Sequence, residues 1–343
     1  MANKILKFAK EFNKPFERFI LVNGWNLRLY KKKKNGVKLK QLNRNQKHDI
    51  KDFWKKYGKR VNPNWTAYFS FGNDYFDPRY IPESLYYGEI AQKLYVQGMG
   101  GLHHKNVQEQ LFDSKQPKTI VRKINNFISD REHNPISLDY AIQLCKEEKE
   151  VIIKPSTGTY GGKGIMFWKA GDQESILKDI LTSFDQVIAQ EVVESHQFMK
   201  NITTSTINTL RVVTLLVEGE PVLLSTLLRM GKEGSRLDGV STGGVIAVVN
   251  TSGFLEESAV QLDQTIRKQH DSGFIFKDKK IPSYKKWVFT KIYGCQPRAN
   301  MVISPVKCKN TRNPAIVKVP TTKIARCYRC IFTISINGFN YQK

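Results

Sequence analysis

Three observations predict an α+β fold. Short β-branched runs such as Val151-Ile152-Ile153 are closely bounded by proline and glycine, as buried strands are. Ile176, Leu177, Ile180, Leu181 and Phe184 recur at helical spacing between two such runs, which predicts a helix packed on a sheet. Residues 210–216 and 221–228 flank Val217-Glu218-Gly219-Glu220, an antiparallel hairpin with glycine at its turn. A mainly helical N-terminal accessory region precedes these elements, and an irregular basic tail follows them.

The chain of 343 residues is long enough to bury a core of two structural units plus appendages. No apolar run approaches the roughly 20 residues of a membrane-spanning helix. The N-terminus lacks the continuous apolar region and small-residue cleavage site of a leader, so a cytoplasmic protein is expected. Net charge is +24, and residues 279–343 hold ten Lys and four Arg with no Asp or Glu, leaving +10 on residues 1–278. Such charge suits nucleic acid, an anionic membrane surface or anionic substrates.

Residues 1–48 form a basic N-terminal segment centred on Lys31-Lys32-Lys33-Lys34. Phe8, Phe12, Phe16, Phe19 and Ile20 predict one amphipathic helix before the basic run. Peripheral contact with an anionic membrane is one reading; a helix packed on the domain beside a solvated loop is the other. The second is preferred because stripe and charge run are adjacent rather than on one helix. Residues 49–116 read as an accessory region, with a helix over 49–57. Its aromatics Trp54, Trp65, Tyr68, Phe69, Phe71, Tyr75 and Phe76 read as core builders rather than ligand stackers. His103 and His104 read as surface residues.

Residues 118–128 read as one strand, with a helix beginning near Ser137. Residues 151–164, VIIKPSTGTYGGKG, carry Lys154 from a strand into a loop of four glycines, with Lys163 at its far side. Glycines let backbone N–H groups approach an anion, so the loop offers a phosphate cradle. A glycine-rich hairpin with incidental lysines fits the loop taken alone equally well. The spacing breaks the P-loop pattern, because Gly164 stands where Ser or Thr should follow the lysine. Arg211 and Arg229, flanked by apolar residues, must each find an anion, and phosphate or a substrate carboxylate is favoured over a structural carboxylate.

The strand lysine and lid, then Gln190-Glu191-Val192-Val193, Asn208-Thr209-Leu210-Arg211-Val212-Val213 and the segment from Arg236 to Gly244, come in one order. Together they resemble the sugar-transfer-associated ATP-grasp proteins, the α-L-glutamate ligase-related group, over about residues 50–284. That resemblance implies an ATP-grasp domain over 117–285, two α/β subdomains clasping a nucleotide, with lid and nucleotide site in 151–194. It implies ATP and Mg2+ as cofactors and a carboxylate–amine (or other nucleophile) ligase working through an acyl phosphate, associated with surface polysaccharide. Arg122, Lys154, Gly158, Gly161, Gly162 and Lys163 are the implied phosphate contacts. Gln190, Glu191 and Val193 would meet the adenine edge, and Glu194 the ribose. Arg211, Arg229 and Arg236 would act on the transferring phosphoryl or the substrate, which is a small carboxylate- or sugar-containing molecule. Neither the acceptor nor the oligomeric state is readable.

The family pattern stops after residue 284. The resemblance implies an Asp and a Glu-x-Asn there to hold magnesium, yet no carboxylate side chain follows Asp278, and no metal ligand can be assigned. Residues 286–343 read as an atypical basic tail, from a reading-frame shift or a substituted C-terminus. Cys327-x-x-Cys330 could be half a zinc site, but the gap between Cys295 and Cys308 fits no common knuckle; Cys145 reads as a buried thiol. A non-catalytic nucleotide binder, or a basic nucleic-acid-associated protein without a specific recognition pattern, are the alternative functions.

Overall fold

The computed structural model describes residues 2–71, 75–91, 104–111, 116–159, 162–217, 220–286, 288 and 333–337. The expectations for His103, Gly161, Cys295, Cys308, Cys327 and Cys330 lie outside them. The described residues divide into two compact units: 2–91 with Asp263–Ile266, and the remainder from residue 104 onward. Among them no helix is long and apolar enough to cross a membrane.

The first unit is helical: α1 (Ala2–Lys34), α2 (Arg44–Lys55), α3 (Asn64–Phe69), and α4 (Glu83–Leu85) running into a π-helical turn (Tyr86–Ile90). The basic run, expected beyond the helix, is its last turn. Lysine is a good helix former, and positive charge is favoured at a helix C-terminus. Gly36, at φ 86°, ends α1, with Val37 N donating to Lys32 O at 3.0 Å. Asn43 caps α2 reciprocally with Gln46, each accepting from the other's backbone N–H. Leu29, Trp65, Tyr68, Phe69 and Tyr80 form a buried cluster, and Trp54 joins Ile50 in another, so these aromatics build core.

The second unit holds two antiparallel sheets. In the first, β1 (Thr119–Ile124), β2 (Phe127–Ser129), β3 (Glu150–Pro155), β4 (Met166–Lys169) and β5 (Gln186–Glu191) lie in the order β2-β1-β5-β3-β4. The single strand expected over 118–128 is a hairpin instead: Asn125, at φ 55°, turns the chain between β1 and β2. A short helical segment, Lys105–Val107 followed by α5 (Gln108–Leu111), precedes β1. The unit therefore reaches back beyond residue 117. Helices α6 (Leu138–Lys146) and α7 (Glu174–Thr182) cover one sheet face; Ser137 caps α6 through the Tyr140 N–H. Their buried Ala141, Ile142, Cys145, Leu177 and Leu181 meet Val151, Ile153, Val187 and Ala189. Burial of this kind contributes on the order of 1.5–3 kcal/mol per large aliphatic side chain. Cys145 is fully buried, which pushes its thiol up to about 12.

After α8 (Gln197–Lys200), the second sheet comprises β6 (Thr209–Val217), β7 (Glu220–Met230), β8 (Val245–Val249), β9 (Leu255–Val260), β10 (Ile266–Arg267) and β11 (Thr333–Asn337), in the order β10-β9-β8-β7-β6-β11. One face buries Leu210, Val212, Leu228, Met230, Val245 and Ala247 beneath Met199, Ile202 and Phe276. Alternation puts Thr209, Arg211, Leu227 and Arg229 on the other face. The tail, expected to be irregular, supplies β11, whose Ser335 pairs with Arg211 and Asn337 with Thr209.

Candidate nucleotide site

The site begins with the two-residue period of β3. Val151 and Ile153 point into the helix-covered core, so Ile152 and Lys154 face the other way. Burial, and then the neighbouring Lys105 ammonium, push Lys154 down to about 8. Lys105 itself is lowered by burial. Its Nζ donates to Pro155 O at 2.8 Å, and its backbone N–H to Ser156 O at 3.1 Å, where β3 becomes the loop. Neither ammonium forms an ion pair with a carboxylate among the described residues. Two neighbouring, half-buried cations without a carboxylate partner are an arrangement that an anion stabilises.

Sequence reasoning missed Lys105, which lies about fifty positions from Lys154 and in no motif. Expected as surface, His104 is half-buried, with Nε2 at 3.2 Å from Gln186 Oε1, and that same oxygen accepts from Thr157 Oγ1. Ser156 is fully buried under the loop.

Arg122, expected at the phosphates, is buried and committed elsewhere. Its guanidinium donates to the carbonyls of Asn106 (3.1 Å), Asp130 (3.0 Å) and Arg131 (2.8 Å) and pairs with the Glu109 carboxylate. Full partnering is what a buried arginine requires. Two of its partners, Asn106 and Glu109, follow Lys105 on the same short segment, so Arg122 ties that segment to β1.

In the loop, Gly158 has φ 71° with open space above it, and Lys163 is exposed. At Gly162, φ is 82° and a Cβ would come within 2.9 Å of Leu237 Cδ1. Leu237 belongs to a stitch of three consecutive residues between the sheets. Arg236 pairs with Glu150 of β3 and stacks 3.6 Å over the Phe167 ring of β4. Asp238 pairs with Arg229 at 3.0 Å and accepts from Thr209 Oγ1. Arg229 has thus found a structural carboxylate, contrary to expectation; the acid lies nine positions on, in the following loop. Arg211 is half-buried on the same sheet face.

The β5 ladder ends at Glu191, leaving the backbone of Val192 and Val193 beyond it. Gln190 turns its amide to Thr119 Oγ1 (3.2 Å) and Pro117 O, so its side chain is structural. Glu191 accepts from Lys118 N at 2.8 Å, and exposed Glu194 lies 3.6 Å from Lys200.

Two antiparallel sheets, one bearing a strand lysine and a glycine loop and the other an arginine-bearing face, are consistent with an ATP-grasp protein. The chain belongs to the sugar-transfer associated ATP-grasp family, whose model matches residues 102–297, more than half its length. A comparison with curated proteins returns no match. The family carries ATP binding and an association with sugar transfer. It also implies magnesium, which takes hard oxygen ligands, usually carboxylates. Among the described residues no group of three or more His, Cys, Asp or Glu could hold a metal ion. Glu150, Glu191 and Asp238 are already held by Arg236, Lys118 and Arg229. These carboxylates do not fit a magnesium site.

Proposed function

We propose that the ATP phosphates lie against Lys154 and Lys105 under the glycine loop, with adenine at the backbone of Glu191 and Val193. The uncompensated lysine pair carries this reading. Gly158 and Gly162 offer backbone N–H groups beside the exposed Lys163, and Glu194 takes the ribose in this reading. Arg211 is the arginine for the transferring phosphoryl or a substrate carboxylate, while Arg229 and Arg236 act by holding Asp238 and Glu150. The reaction class is carboxylate–nucleophile ligation through an acyl phosphate, in a cytoplasmic, surface-polysaccharide setting. Phosphoryl transfer is slow in this chain, because the stretch after Asp278 has no carboxylate side chain.

Calorimetric titration with ATP, with and without Mg2+, tests binding. ATP turnover with carboxylate acceptors, against a chimera whose tail contains an Asp and a Glu-x-Asn, tests the second part. Absence of ATP binding refutes the site. Equal turnover by chain and chimera refutes the account of the tail.

A further inference from the structure

The α1 helix is apolar on two sides. One side is packed on the first unit: Leu29 is buried with Trp65, Trp25 stacks on Tyr87 at 4.1 Å, and Asn26 accepts from Trp65 Nε1 at 2.9 Å. Val22 lies so close to Gly88 that a Cβ there would sit 2.5 Å from it. The other side carries Phe16, Phe19, Ile20, Leu27 and Tyr30, every one of them more than half exposed (52–65 %). At helical spacing these five fall within an arc of about 100°. Lys31 and Lys34, both exposed, continue that arc at its C-terminal end. The sole acid of residues 16–48, Glu17, lies about 60° outside the arc.

Charge is concentrated on this segment. Residues 1–48 contain fourteen Lys and Arg against two Glu, whereas residues 49–278 contain 27 against 29 acids. A second copy docking face to face would bring like charges together. Nucleic acid would satisfy the lysines but leave Phe16, Phe19, Ile20 and Leu27 in water. A surface with anionic headgroups over acyl chains satisfies both. The ground for separating stripe from charge also disappears, since both lie on one helix.

We propose that α1 docks lengthwise on an anionic lipid bilayer surface, with Phe16, Phe19, Ile20, Leu27 and Tyr30 in the headgroup–acyl boundary and Lys31 and Lys34 on the headgroup phosphates. The opposite side of the helix stays on the first unit.

The full chain is sedimented with phosphatidylcholine vesicles and with vesicles containing roughly 30 % phosphatidylglycerol, near the anionic content that attracts polybasic segments. It should sediment with the anionic vesicles only. The double variant F16E/F19E, altered only on the exposed side, should lower partitioning about tenfold or more, and L27Q by a lesser factor. K31Q/K34Q should weaken binding several-fold and flatten its salt dependence. Circular dichroism and melting temperature of each variant should match the parent. Failure to sediment, equal binding to neutral vesicles, or binding unchanged in both F16E/F19E and L27Q overturns the proposal. So does a solution dimer that F16E/F19E dissociates, which assigns the face to a second copy, or RNA binding that the variants abolish.

Discussion

Replacing Lys154 with methionine should weaken ATP binding and at the same time stabilise the free protein. The free ammonium is lowered from 10.5 to about 8, first by burial and then by Lys105. Below pH 8 both folded and unfolded chains carry the charge, and the fold bears the full penalty. The penalty shrinks as pH rises from 8 to 10.5, because there the unfolded chain binds more protons. At about 1.4 kcal/mol per pKa unit the shift corresponds to an upper value of about 3.5 kcal/mol, reduced by whatever water reaches the half-buried side chain. Lys154→Met should recover part of this at pH 7, read as a higher denaturation midpoint with unchanged m-value. ATP reverses the sign by supplying the missing anion, so binding should take up protons near pH 8. The affinity for ATP should fall roughly tenfold from pH 7 to pH 9, as the free lysine loses its charge. Titration calorimetry in buffers of different ionisation enthalpy measures both quantities. A Lys154→Met protein less stable than the parent, or an affinity flat between pH 7 and 9, would refute the uncompensated-cation account.

Arg122→Met should destabilise the second unit by about 3–5 kcal/mol, since it strands Glu109 and three carbonyls; chemical denaturation measures the loss, and hydrogen exchange should rise at residues 104–111. Asp238→Asn should cost about 2 kcal/mol in thermal unfolding by leaving Arg229 without its counter-charge. Gly162→Val should destabilise by about 1–3 kcal/mol, because φ 82° and the Leu237 side chain both oppose a β-branched residue; calorimetric unfolding should show no loss if loop and Leu237 separate freely.

Local patterns carried much of the architecture. The β-branched run before Pro155, the Leu177, Ile180 and Leu181 stripe, and the two apolar runs that become β6 and β7 are short-range signals, because side-chain period acts within a few residues. The order of motifs likewise placed the chain in its family without any long-range contact. Lys154 on the face opposite the core follows from the alternation of β3 alone.

Partner choice was another matter. Arg122 and Arg229 were legible as arginines that must find anions, but not which anions: a surrounding of Val and Ile states the need and not its answer. Strand order β1-β5-β3 and the returning segment before β1 decide that Lys105 meets Lys154 and that Glu109 takes Arg122. The Arg236-Leu237-Asp238 stitch depends on how two sheets meet, which no period in either sheet encodes. On α1 the sequence determined both the apolar stripe and the lysine run, whereas only the packing of Leu29, Trp25 and Val22 on one side decided which aromatics remain in water. Helical and strand periods constrain neighbours a few positions apart; contacts across 16 to 50 positions come from burying two apolar sheet faces at once, and tertiary structure alone selects them.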